Sequence, residues 1–164
     1  MSRRRAVANL ALGCLAALLA LGSAAAEVQH ALPSPKERCP VCGMFVEGYS
    51  NWFAGVLFKD GSHATFDGPK DFFKYLADVK RYDKKRTEAD AAAAYVTDYY
   101  SVKPIDARQA FYVAGSDVFG PMGEEFIPFA KEADAAEFLK DHKGKAVLKF
   151  PEVLAEVRAT EAKP

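Results

Sequence analysis

Sulfur is scarce in this 164-residue sequence, which has three cysteines and three methionines counting the initiator. So few cysteines exclude a disulfide-built scaffold, and the fold must rest on a hydrophobic core. Also missing are a glycine-rich phosphate loop, a G-x-S-x-G nucleophile elbow and a His-x-x-x-His pair, so the usual marks of phosphoryl transfer, serine hydrolysis and zinc proteolysis are absent. No charge of one sign dominates: 22 Lys and Arg stand against 22 Asp and Glu. Losing Arg3, Arg4 and Arg5 with an N-terminal leader leaves 19 basic residues against 22 acidic ones, a slightly acidic protein that offers nucleic acid nothing.

The start of the chain reads as an export signal over residues 1–26. Arg3 to Arg5 form its basic end, Ala6 to Leu21 its apolar stretch and Ala24-Ala25-Ala26 a small-residue cleavage site, so the mature chain is expected to begin at Glu27. Asn9, Gly13 and Gly22 interrupt the apolar run and argue against a retained membrane span. Cys14, after Ala11-Leu12-Gly13, offers an alternative lipoprotein processing site, although apolar sequence continues beyond it. Residues 27–38, with Pro33, Ser34 and Pro35 and no apolar period, read as a flexible leader.

From residue 39 onward the pattern predicts one α+β domain of two pseudo-repeated ββαβ lobes packed together, over about 39–102 and 103–155 and joined near Lys103-Pro104. Trp52 to Phe58 and His63 to Phe66 flank the Lys59-Asp60-Gly61-Ser62 turn as a hairpin. Asp67 is a candidate N-cap, with Pro69 in the first turn of a helix carrying Phe72, Phe73, Leu76 and Val79 on one face. Ala91 to Tyr100 reads as a returning strand. The second half repeats the order with strands at Phe111 to Ser116 and Phe126 to Phe129, a turn at Gly120-Pro121-Met122-Gly123, a helix over Glu132 to His142, and a last strand at Ala146 to Phe150. The aromatic-rich stretch of Tyr95, Tyr99, Tyr100, Phe111, Tyr112 and Phe119 is expected to be core.

The chemistry concentrates in Cys39-Pro-Val-Cys42-Gly-Met44. Proline stiffens such a loop and glycine lets backbone N–H groups approach the sulfurs, so both thiols can reach one ion. Zinc needs four closed ligands, and His30, His63 and His142 lie at no paired spacing that would complete the set. Copper(I) is satisfied by two or three soft donors, and thioether sulfur suits it because it carries no proton and forms no disulfide. Met44 and Met122 each stand beside glycine in a turn, where a core-filling methionine would be unusual. Cys39, Cys42, Met44 and Met122 are therefore the candidate metal ligands. Three alternatives stay open: thiol–disulfide exchange by the C-x-x-C pair, a plain structural disulfide, and a zinc module. Asp98 is a candidate supporting partner of the site.

Three segments carry a family likeness: Cys42-Gly-Met44 with Val46, the stretch Asp106-Ala-Arg-Gln-Ala-Phe-Tyr-Val-Ala-Gly-Ser116, and Pro121-Met122-Gly123 followed by Phe129 to Leu139. Together they resemble the NosL proteins, exported copper chaperones associated with maturation of nitrous oxide reductase. The resemblance implies a binding protein and not an enzyme. It also implies that the second lobe's methionine meets the first lobe's cysteine and methionine, and that copper(I) passes to a client enzyme through an ABC-type membrane complex. Cys39 departs from the family, whose first motif commonly has one cysteine, and this leaves the client open. Cys-Pro-Val-Cys-Gly-Met also resembles the opening of YHS metal-binding domains, whose later tyrosine-histidine-serine signature is not evident here.

Overall fold

The computed structural model describes residues 30–162, so the expected export signal and Cys14 lie outside the described residues. Strands β1 (Ala54–Phe58) and β2 (His63–Phe66) form an antiparallel hairpin, turned by Asp60-Gly61 with Gly61 at φ +82. Helix α1 (Pro69–Ala77) and the short α2 (Val79–Tyr82) follow. Strand β3 (Ala91–Thr97) then returns beside β1, and β4 (Pro104–Asp106) closes a four-stranded sheet in the order β2-β1-β3-β4. The expected linker at Lys103-Pro104 is thus largely edge strand, a place where proline's missing N–H costs no ladder bond. The first sheet extends past the expected lobe boundary at residue 102.

The second lobe repeats the plan. Strand β5 (Phe111–Ala114) is central between β8 (Ile127–Phe129) and β9 (Ala146–Lys149), with helix α3 (Glu132–Asp141) crossing between the outer two. In each lobe the first strand lies between the second and the third and is antiparallel to both, so the ββαβ duplication is present. Between β5 and β8 a small hairpin, β6 (Phe119–Gly120) with β7 (Gly123–Glu124), carries Pro121-Met122 at its tip. No helix of the described residues is long and apolar enough to cross a membrane.

A terminal helix, α4 (Phe150–Glu161), was not expected from sequence, where Phe150 reads as the end of a strand. Its Val153, Leu154 and Val157 are buried in the core of the first lobe with Phe66, Phe72 and Tyr75 of β2 and α1. The smaller second core gathers Val113, Ile127, Phe129, Ala135 and Phe138. The chain's end therefore ties the lobes together, and Phe73 sits at their seam with ring centroids 5.1 Å from Tyr112, 5.2 Å from Phe150 and 5.9 Å from Phe126. Phe73 is fully buried, so Phe73→Ala should cost about 3–5 kcal/mol, read as a fall in the denaturant midpoint.

Asp98 proves to be a structural carboxylate. One oxygen accepts the Ala130 N–H at 2.7 Å and the other accepts the Ser101 N–H and hydroxyl at 2.8 and 2.6 Å, joining the end of β3 to the end of β8. Of the aromatic stretch, Tyr95 and Tyr112 are core, but Tyr100 and Phe119 are 48% and 63% exposed. The segment before the cysteines is also held down. Tyr95 donates its hydroxyl to the Ala31 carbonyl at 2.7 Å, and Thr65 donates to the Glu37 carboxylate at 2.5 Å.

Candidate metal centre

Residues 38–45 close on themselves as a tight turn. Arg38 and Phe45 form an isolated antiparallel bridge, the Cys39 N–H donates to the Met44 carbonyl at 2.9 Å, and the Gly43 N–H donates to the Cys39 carbonyl at 2.9 Å. Gly43 has φ +78, the left-handed conformation that glycine adopts without strain. Inside the turn, the N–H groups of Val41 and Cys42 face the Cys39 sulfur and that of Met44 faces the Cys42 sulfur. This is the knuckle expected from proline and glycine around the cysteines.

The floor of the knuckle holds two carboxylates that sequence reasoning did not select. Cys39 Sγ donates to Asp71 Oδ2 at 3.5 Å and Cys42 Sγ donates to Asp67 Oδ1 at 3.3 Å. One ligand atom from each of the four residues lies within 4.8 Å of the others. Asp67 is not the N-cap of α1. Gly68 holds that position, and the free N–H of Lys70 is taken by Glu125, which leaves Asp67 to face the thiols. Both carboxylates lie near the positive end of the α1 dipole, which stabilises negative charge there. The other oxygen of Asp67 is buried with no hydrogen-bond partner, so the cluster has room on its electrostatic ledger for a cation.

The two thiols differ. Cys39 is 1% exposed, and burial first, then the neighbouring Asp67, push its pKa far above the ordinary range. Cys42 is half-buried and is pushed up to about 11 by burial, with the Met44 N–H opposing and the Asp71 side chain adding to the rise. Both are free thiols. Disulfide-exchange nucleophiles need the opposite shift, supplied by a helix N-terminus or a cation beside the sulfur. Here the carboxylates stand in that place.

Cys42 opens onto a shallow groove walled by Met44, Phe45 and Tyr49, with the Arg38 guanidinium 3.8 Å above the Phe45 ring centre. Met122 is 44% exposed at the tip of the β6–β7 hairpin, and its carbonyl accepts from the Lys70 side chain, three residues beyond Asp67. The hairpin is thereby fastened to the same corner of α1 that supplies the carboxylates. The histidines are engaged elsewhere. His63 meets Glu37 at 3.3 Å, His142 meets Asp117 at 3.2 Å and stacks on Phe138, and His30 lies edge-on to Tyr95.

The family profile that matches this architecture is NosL, over residues 31–158. This chain belongs to the NosL family. The copper-binding lipoprotein NosL of Stutzerimonas stutzeri is 31% identical over 155 residues, covering 85% of this chain and 77% of that protein. Among solved structures, the copper chaperone NosL from Shewanella denitrificans matches with a TM-score of 0.62 and 25% identity, covering 76% of this chain and 94% of that one. The NosL match spans both lobes, the cysteine turn and the methionine hairpin together, so the α+β fold with two ββαβ lobes holds as read from sequence. Within this NosL architecture, the structure brings Cys39, Cys42 and Met44 into one turn and adds Asp67 and Asp71 beneath it. Each carboxylate is more than twenty residues from the cysteine it meets, a separation that no local motif reveals.

Proposed function

We propose that this chain is an exported copper(I) chaperone, a binding protein and not an enzyme, whose cargo is held by Cys42, Met44 and Met122 with Cys39 in reserve. The observation that carries the reading is the half-exposed Cys42 thiol at the head of an open groove walled by Met44, in a chain related to a copper-binding lipoprotein and a copper chaperone. Copper(I) favours such soft donors and accepts two or three of them. The thiolate of Cys42 neutralises the ion while the thioethers add sulfur without charge. Cys39, whose proton is harder to remove and is donated to Asp71, need not ionise for the site to be electrically balanced.

Low coordination then sets the mechanism of hand-off. With Cys42 beside the groove, a thiolate, thioether or imidazole of the accepting protein can approach the ion from solvent and displace one sulfur at a time. Cys39 lies within reach to hold the ion while a second sulfur leaves. The recipient is an exported copper enzyme, with nitrous oxide reductase the client that the family likeness favours and an ABC-type complex the route. Export rests on the basic, apolar leader and on the relative being a lipoprotein, with Cys14 as the residue where a lipid would attach if the leader is cut there and not after Ala26.

The structure also favours a second reading. Cys39, Cys42, Asp67 and Asp71 offer the four ligand atoms that a zinc site requires and that the cysteines and histidines alone do not provide. An anaerobic copper(I) titration of the reduced mature protein against a chromophoric competitor, with zinc(II) measured in parallel and insulin reduction assayed, separates the three. One tight copper(I) per chain, weaker zinc and no reductase activity are expected. Tight zinc with copper(I) lost to a weak chelator would overturn the chaperone, and strong insulin reduction would restore the oxidoreductase.

A further inference from the structure

We propose that Glu125 and Lys70 form a latch that holds the Met122 hairpin against the start of α1, beside the carboxylates that face the thiols, so that metal affinity depends on two residues that are not themselves ligands. The proposal rests on the reading of Met122 as a ligand. Glu125 is 5% exposed and lies outside the four-residue thiol and carboxylate cluster, so a buried acid is left that the site does not use. Its carboxylate accepts the backbone N–H of Lys70 at the first turn of α1. The same carboxylate lies against both Gly68 and Gly120. A Cβ at Gly68 would overlap it, and one at Gly120 would come within 2.9 Å of Oε2. Gly68 has φ −166, an extended conformation open to any residue, so glycine is required there for space and not for backbone freedom. One side chain thus grips the start of α1 and the β6–β7 hairpin at once.

Lys70 completes the strap in the other direction, because its side-chain ammonium donates to the Met122 carbonyl. The hairpin needs such a strap. It pairs at only two positions, Phe119 with Glu124 and Gly120 with Gly123, and its two large apolar side chains, Phe119 and Met122, are exposed, so packing alone fixes its orientation weakly. Asp67 and Asp71, which face the thiols, stand on either side of the segment that Glu125 and Lys70 hold. Burying an ionisable acid is costly where an apolar residue would pack, and the two elements that Glu125 fastens are set against that cost.

A double-mutant cycle tests this on the mature protein, with copper(I) affinity read by anaerobic competition and the methionine methyl groups followed by 13C NMR. Met122→Leu should weaken copper(I) by roughly 10–100-fold, and Glu125→Ala should weaken it by a similar factor. In the Met122→Leu background Glu125→Ala should add little, because it acts only through that thioether. Glu125→Gln, which keeps an oxygen for the Lys70 N–H, should retain wild-type affinity. Lys70→Leu, which removes one strap and adds no sulfur, should give a smaller loss that also vanishes without Met122, and it serves where Glu125→Ala fails to fold. In Glu125→Ala the Met122 methyl resonance should lose its copper-induced shift, in the Lys70 variant that shift should shrink, and in Glu125→Gln it should persist. Additive losses, or a Met122→Leu effect with none from the latch variants, would overturn the latch and leave Met122 a ligand. An unchanged affinity in Met122→Leu would overturn both.

Discussion

Replacing Cys42 by serine should lower copper(I) affinity by about two to three decades, whereas Cys39→Ser should cost roughly tenfold, the loss expected of a supporting group. A four-ligand zinc site is worth about 10–16 kcal/mol, so one thiolate accounts for about 2.5–4 kcal/mol, and each 1.4 kcal/mol is a decade. The asymmetry follows from the two sulfurs' surroundings. Cys42 sits half-exposed beside Met44 and its proton leaves near pH 11, while Cys39 is buried, bonded to Asp71 and held protonated far more firmly. Because copper(I) must displace the Cys42 proton at any pH below about 11, affinity should rise by about one decade per pH unit through the neutral range. An ion held by both thiolates would show about twice that slope. Equal losses from the two serine variants, with the steeper slope, would assign the site to the thiol and carboxylate cluster and to a divalent ion.

Glu125→Gln should stabilise the metal-free protein by about 3–4 kcal/mol at pH 7, an unusual outcome for replacing a buried ionisable residue. Burial raises the Glu125 carboxyl to about pH 8, with the Lys70 N–H and charge opposing the rise. In the unfolded chain the same group ionises near its ordinary value of about 4.3. Between those two values the folded protein holds a proton that the unfolded chain has released. Stability is therefore greatest below the lower value and falls as pH rises, by up to about 1.4 kcal/mol per unit, until it levels above pH 8. Glutamine has no such proton. Urea unfolding of both proteins from pH 4.5 to 8.5 should give curves that meet at the acid end and separate toward pH 8, and parallel curves would refute the assignment.

Local chemistry was legible in the sequence to the extent that neighbours along the chain decide it. The Asp60-Gly61 turn, β2 at His63–Phe66, α1 opening on Pro69 and the Cys39–Met44 knuckle all depend on residues within a few positions of one another. What escaped depends on contacts across the fold. Asp67 has the look of a helix cap, but Gly68 takes that position, the Lys70 N–H goes to Glu125, more than fifty residues on, and Asp67 accepts from Cys42. Asp71 falls on the buried side of α1 among Phe72, Tyr75 and Leu76, and only the cysteine turn above it makes it more than a helix residue. The α4 helix did leave a signal in Pro151 at its start and in Val153, Leu154 and Val157 at helical spacing, obscured by the strand pattern running through Phe150. Asp98 reads in sequence as a supporting partner of the metal site, but its two oxygens are satisfied by backbone and serine donors from both lobes.

Copper K-edge X-ray absorption on the reduced protein loaded with less than one equivalent of copper(I), compared with Met122→Leu, reads the ligand atoms themselves. The chaperone account predicts a first shell of sulfur alone, with one sulfur fewer in the variant. Oxygen scatterers from Asp67 or Asp71 in that shell, or a spectrum that Met122→Leu leaves unchanged, would contradict it.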